Sequence, residues 1–156
     1  MQTYVLYGSQ KGTAEYISNE LKERLTQPTY RNTLNSVVND ISELNQKTQT
    51  ILIVCSTTGN GEAPENAFKF WKTIKSRALP KTLFENIQYA VLALGDSNYS
   101  QFCNAGKQID KRLTELGATR IQPVCCADDA QDMEETVNEW ITNITNYLNQ
   151  STELNI

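Results

Sequence analysis

The apolar positions of this chain switch repeatedly between two periods. Residues 3–7 form a short β-rich run that stops at Gly8, and behind it Ala14, Ile17, Leu21 and Leu25 fall on one helical face. That order predicts a strand, a tight loop and a helix. A weaker extended stretch near residues 33–38 precedes residues 50–55, whose unbroken Ile-Leu-Ile-Val run suits a strand buried on both faces. After the loop Thr57-Thr58-Gly59-Asn60-Gly61, Pro64 fits the first turn of a helix with Ala67, Phe70, Trp71 and Ile74 on one side. Residues 77–84 read as a connection. A second buried strand, residues 89–94, ends at Gly95. It leads through residues 96–99 into a helix marked by Phe102, Ala105, Ile109, Leu113 and Leu116 and closed by Gly117. Residues 119–125 read as a fifth strand. Met133, Val137, Trp140, Ile141, Ile144 and Leu148 trace a last amphipathic helix.

Five strands alternating with helices predict an α/β fold, a flavodoxin-like doubly wound five-stranded parallel sheet with strand order 2-1-3-4-5. Residues 1–149 make up the domain, and residues 150–156 read as a tail or the start of a linker. In such sheets the ligand lies beyond the carboxyl ends of the strands. The rule selects residues 8–13, 56–62 and 95–102, three loops rich in Gly, Ser, Thr and Asn.

Composition narrows the chemistry. The 156 residues carry 14 Lys and Arg against 18 Asp and Glu and no His. A net charge of −4 argues against a surface for nucleic acid phosphates. The absence of His excludes Ser-His and Cys-His mechanisms and His-based zinc sites. Cys55, Cys103, Cys125 and Cys126 include no C-x-x-C pair and read as reduced thiols, mostly buried. Cys125 and Cys126, as strand neighbours, point to opposite faces, which disfavours a bond between them. The apolar runs are far shorter than the roughly 20 residues of a membrane span, and the amino terminus has no signal-peptide pattern. A cytoplasmic setting is the default expectation. The last 36 residues hold 7 acidic and no basic side chains. That one-signed end suits either a solvated helix face or a surface that steers a basic partner.

The first loop, Gly8-Ser9-Gln10-Lys11-Gly12-Thr13-Ala14, opens directly into a helix, where free N–H groups and the helix dipole favour an anion. Ser9 and Thr13 add hydroxyls, and Gly12 permits close backbone approach. Neither the G-x-x-x-x-G-K-[ST] pattern nor G-x-G-x-x-G is present, which favours a mononucleotide held without hydrolysis. An ordinary N-capped helix explains this loop equally well by itself. In the second loop Gly59 and Gly61 flank Asn60, so amides can approach a heterocycle and a peptide can flip. In the third, Tyr99 is placed to stack on a planar ligand, whereas the spacing of Phe102 suits the core better.

Three ordered segments carry a further signal: Tyr7-Gly8-Ser9-Gln10-Lys11-Gly12-Thr13-Ala14-Glu15, Ser56-Thr57-Thr58-Gly59-Asn60-Gly61-Glu62-Ala63-Pro64, and Leu94-Gly95-Asp96-Ser97-Asn98-Tyr99 continuing through Lys107 to Leu113. Together they resemble the FMN-binding domain of the diflavin reductase family over roughly residues 2–148. The motifs are most similar to its methionine synthase reductase branch, then to the cytosolic NADPH-dependent diflavin reductase. The resemblance implies FMN as cofactor, with Ser9, Gln10, Lys11, Gly12, Thr13 and Ala14 around the phosphate. It puts Ser56, Thr57, Thr58, Gly59, Asn60 and Gly61 at the ring edge. Leu94, Gly95, Asp96, Tyr99, Phe102 and Cys103 then form the other wall, with Asp129 nearby. Thr58 stands where more distant members carry a stacking aromatic, which leaves Tyr99 as the single expected stacker. Lys11 replaces a small or neutral residue and either adds charge at the phosphate or points to solvent.

The implied function is an FMN-dependent electron carrier, a flavoprotein oxidoreductase component. It takes electrons from an FAD/NADPH module and passes them singly to a protein acceptor. Asp128, Asp132, Glu134 and Glu135 are the implied docking residues, with helix N-terminal stabilisation as the structural reading of the same cluster. No catalytic side chain, metal, nucleic acid or membrane enters this expectation. The chain ends just past the last helix, as expected either of an excised domain or of a free-standing flavodoxin-like carrier. A cofactor-less binding scaffold is the further alternative. A phospho-acceptor module is disfavoured, because Gly8-Ser9 and Ser56-Thr57 stand where its acids belong.

Overall fold

A computed structural model describes residues 2–154 of the chain. The elements are β1 (Gln2–Gly8), α1 (Thr13–Arg24), β2 (Thr29–Thr33), a 3-10 segment (Leu34–Glu43), α2 (Leu44–Lys47) and β3 (Thr48–Ser56). They continue with α3 (Glu65–Ile74), β4 (Gln88–Gly95), α4 (Asn104–Glu115), β5 (Thr119–Arg120), β6 (Cys125–Asp128) and α5 (Met133–Leu154). The sheet is parallel and ordered β2-β1-β3-β4-β5, with β6 also paired to β4.

The register explains why β3 and β4 are so apolar. Ile51, Ile53 and Cys55 face the layer that contains α3, α4 and the 3-10 segment, whereas Leu52 and Val54 face α1 and α5. Tyr89 and Val91 repeat the first assignment in β4, and Ala90, Leu92 and Leu94 the second. Alternate side chains thus serve two cores, and neither face of a central strand is left for solvent. Each buried Leu or Ile contributes about 1.5–3 kcal/mol relative to exposure. A buried polar contact ties α4 to the sheet edge. Asp110, 5% exposed, receives Arg120 Nε at 3.0 Å and Nη2 at 2.7 Å, while Tyr89 donates its hydroxyl to the Asp110 carbonyl at 2.8 Å.

Two strand assignments need correction. The extended stretch expected near residues 33–38 is β2, at Thr29–Thr33, and the later residues form the 3-10 segment. Leu34 and Val37 are buried and Ile41 packs against the same core, an approximate three-residue recurrence that suits 3-10 winding. Asp40 interrupts the segment with non-helical angles. The fifth strand is divided into β5 and β6. Pro123 lies in the gap and has no N–H for a sheet ladder. Pro64 is the residue before α3, with φ −59° and ψ 161°, and Phe102 likewise precedes α4 instead of lying within it. Among the described residues no helix is long and apolar enough to cross a membrane.

Candidate functional site

At the carboxyl edge of the sheet, the loops after β1, β3 and β4 enclose a cleft of about 230 Å³. Gln10, Lys11 and Thr13 line one end of it. The loop is shaped from within: Asn66 Oδ1 accepts the Ser9 N–H at 2.9 Å, and Ser9 Oγ accepts the Gly12 N–H at 2.8 Å. Gly12 has φ +96° and caps α1, its carbonyl accepting from Tyr16 N at 3.0 Å. The N–H groups of Gln10, Lys11, Thr13 and Ala14 meet no acceptor among the described residues. Four oriented donors at the positive end of a 12-residue helix form a cradle for an anion, and Lys11 adds a full charge beside it. Ser9 Oγ accepts internally and keeps its own hydrogen to donate. The Ala14 side chain is fully buried in the core, so its backbone alone faces outward chemistry.

Ser56, Thr57, Thr58 and Gly59 line the middle of the cleft. The loop after β3 is closed by Gly61 N to Thr58 O, Thr58 N to Glu62 O, both 2.9 Å, and Glu62 N to Thr58 Oγ1 at 3.2 Å. It is clamped to α4 as well. Asn104 Nδ2 donates to Gly61 O at 2.8 Å, and Ala105 N donates to Thr57 Oγ1 at 3.3 Å. Gly61 is required by geometry: its φ is +83°, and a Cβ there would lie 2.6 Å from Gln101 Cβ. The Gly59–Asn60 peptide stands at the turn's tip, and neither its carbonyl nor its N–H has a partner among the described residues. Asn60 and Gly61 themselves do not line the cleft.

Leu94, Gly95, Asp96, Tyr99 and Cys103 supply the opposite wall. Asp96 Oδ1 accepts from Asn98 N at 2.9 Å and its carbonyl from Tyr99 N at 3.0 Å, a local turn that turns Tyr99 outward. The ring is 56% exposed and stands across from Gly59, where a Cβ would lie 3.9 Å from Tyr99 Cε1. Cys103, with φ 55°, ends the loop and begins α4. Phe102 is neither core nor cleft wall: it is half-buried beneath Lys107, whose Nζ lies 5.2 Å from the ring centroid. Asp129 lines the cleft and is held there by its N–H to Gly95 O at 2.8 Å.

Gln101 and Met133 also line the cleft, though the sequence reading passed over them. Gln101 was discoverable from its place between Tyr99 and Cys103, whereas Met133 opens α5 and carries no local motif. The acidic cluster has internal work to do. Asp128 Oδ1 accepts from Ser97 N and Ala130 N, each at 2.9 Å. The Ser97 side chain foremost, and then these two backbone bonds, hold the Asp128 carboxyl below the usual carboxylate range. Asp132 Oδ1 caps α5 by accepting from Glu135 N at 3.2 Å. Its neighbouring carboxylate raises the pKa of Glu135.

The flavodoxin family model matches residues 5–140. Among curated proteins, methionine synthase reductase of Bos taurus is 40% identical over 141 residues, covering 90% of this chain and 20% of that protein. The sulfite reductase [NADPH] flavoprotein alpha-component of Bacillus subtilis (strain 168) is 39% identical, over 94% of this chain and 24% of its own length. NADPH-dependent diflavin oxidoreductase 1 of Bos taurus is 36% identical, with 90% and 24% covered. The chain therefore spans only about a fifth to a quarter of these relatives. Among solved structures, a cysteine-to-alanine mutant of flavodoxin from Pseudomonas aeruginosa superposes with a TM-score of 0.76 at 27% identity. That match covers 95% of this chain and 99% of the flavodoxin. By sequence, strand order and the cleft at its sheet edge, the chain belongs to the flavodoxin family, as a flavodoxin-like FMN domain homologous to the diflavin reductases.

Proposed function

We propose that this domain works as the FMN electron carrier of a diflavin reductase, drawing electrons from an FAD/NADPH module and delivering them singly to a protein acceptor. The observation that carries the reading is the union, in one cleft, of a cradle of free backbone donors with an exposed tyrosine ring. A bound FMN supplies the one- and two-electron redox chemistry that side chains lack. This chain's residues bind and orient it. The amides of Gln10, Lys11, Thr13 and Ala14, with the hydroxyls of Ser9 and Thr13, bind the phosphate, and Lys11 and the α1 dipole offset its charge. Tyr99 covers one ring face. Ser56, Thr57, Thr58 and the Gly59–Asn60 peptide border the ring edge, where the unbonded carbonyl and N–H of that peptide can answer a proton gained or lost. Leu94, Gly95, Asp96, Cys103 and Asp129 complete the wall. Gly12, Gly61 and Phe102 shape the loops without lining the cleft.

Glu134 and Glu135, exposed at the start of α5, are the proposed docking charges for the acceptor, with Asp128 and Asp132 adding field while serving the fold. Residues 1–149 are the proposed cofactor unit, with residues 150–156 as a tail or the start of a linker although α5 runs on to Leu154, and the proposed setting is cytoplasmic. A free-standing carrier would use the same cleft.

Titration with FMN and with riboflavin, which lacks the phosphate, tests the site. Charge-assisted bonds contribute about 1.5–3 kcal/mol each, so FMN should bind at least about 100-fold more tightly. Equal affinities would remove the first loop from the site.

A further inference from the structure

We propose that Cys103 and Cys126 form a redox-sensitive dithiol at the wall of the cleft, with Cys126 as the attacking thiol and Cys103 as the resolving one. The strand register brings them together. Ala93 of β4 lies opposite Cys126 of β6, and Leu94 opposite Ala127. Cys125 packs into the core beside α1 and α5, so alternation along β6 turns Cys126 towards α4. Cys103 approaches the same seam from the α4 side. Its Sγ lies 3.5 Å from Ala93 O and 4.0 Å from Ala127 O, the carbonyls that flank Cys126 across and along the sheet.

The two thiols differ in the way the chemistry requires. Cys103 is fully buried, whereas Cys126 is partly open to solvent. The neighbouring Cys103 thiol foremost, helped by the charge of Lys107, pulls the Cys126 thiol down to about 7. The proximity of Cys126, with burial, raises the pKa of Cys103. An accessible thiolate beside a protonated partner is the arrangement of a peroxide-sensitive pair.

With a hydroperoxide as oxidant, Cys126 sulfur attacks one peroxide oxygen, the O–O bond breaks, and hydroxide leaves. Cys103 sulfur then displaces the oxygen of the resulting sulfenic acid, which departs as water with the Cys103 proton. The original Cys126 proton neutralises the hydroxide. Two thiols are oxidised by two electrons, and hydrogen peroxide becomes two waters. Cys103 also lines the cleft, with its N and Sγ only 2.8 and 3.1 Å from where a Gly95 Cβ would stand. The bond would fix the last residue of the third loop against the cleft wall.

The test uses the full chain with Cys125→Ser, treated with hydrogen peroxide, denatured, alkylated with iodoacetamide and weighed. Alkylation should fall from three sites to one, at Cys55, with a loss of about 2 Da on bond formation. Digestion with trypsin should yield the peptide ending at Lys107 joined to the one beginning at Ile121. With Cys103→Ser, or Cys103→Ala should the serine chain not fold, Cys126 should stop at a sulfenic acid that dimedone captures. With Cys126→Ser, Cys103 should remain a thiol. Oxidation of Cys126 to sulfinic acid while Cys103 stays alkylated, or no loss of thiols, would overturn the proposal. The assay needs no cofactor, so its outcome is independent of the FMN reading.

Discussion

Truncating Tyr99 to alanine separates binding from folding. The ring is 56% exposed and its hydroxyl makes no hydrogen bond among the described residues, so little stability rests on it. Exposed substitutions of this kind usually alter stability by less than about 0.5 kcal/mol. Binding is another matter. Covering one face of a phenol ring removes on the order of 60 Å² of apolar surface from water, about 1.5 kcal/mol at 25 cal/mol per Å². Ring stacking adds about 0.5–1.5 kcal/mol beyond burial. The sum, about 2–3 kcal/mol, corresponds to a loss of roughly 30- to 150-fold in FMN affinity. Quenching of flavin fluorescence across a titration of the wild type and Tyr99→Ala measures it, with thermal melts of both as the control. Tyr99→Phe should retain most of the affinity, because stacking does not use the hydroxyl. An affinity within threefold of wild type in Tyr99→Ala, with the fold intact, would refute the stacking assignment.

Glu134→Lys with Glu135→Lys should slow electron transfer to the acceptor at low salt, with the deficit shrinking as salt rises, and Asp132 is left in place because it caps α5. A rate independent of salt would remove the docking role. Gly117 has φ +96°, and a Cβ there would lie 2.8 Å from Lys81 O. Gly117→Ala should therefore cost about 1–3 kcal/mol in chemical denaturation. For Asp128 the folded pKa lies below the unfolded one. Its contribution is thus complete above the ordinary carboxylate range and is lost as the pH falls through the lowered value. Melting temperature against pH should show a shallower acid decline in Asp128→Asn than in the wild type.

The central strands were legible because continuous apolar runs have few other places to go in an α/β domain. Strand β2 was not. Thr29–Thr33 is half-buried along its whole length, so its side chains do not alternate clearly, while Leu34 and Val37 beside it offered a stronger apolar signal that belongs to 3-10 winding. The three loops were readable for a different reason: the ends of the strands determine where they meet, and Gly, Ser and Thr mark close backbone approach. Side-chain direction was harder to read. Phe102 follows helical spacing yet precedes α4, and Asn60 and Gly61 share a motif with cleft residues while the turn carries them away from it. The double service of Asp128 and Asp132 depends on loops distant in sequence or on helix-end geometry that charge counting does not resolve.

The central claim is that the cleft holds FMN and that the bound flavin cycles through reduction. It is tested most directly by a visible spectrum of the chain after incubation with FMN, removal of excess, and stepwise anaerobic reduction. Retained absorption bands at about 375 and 455 nm that bleach on reduction and return on reoxidation are the expected result. A colourless protein that releases all its FMN on desalting would contradict the account and leave the cleft as that of a cofactor-less binding scaffold.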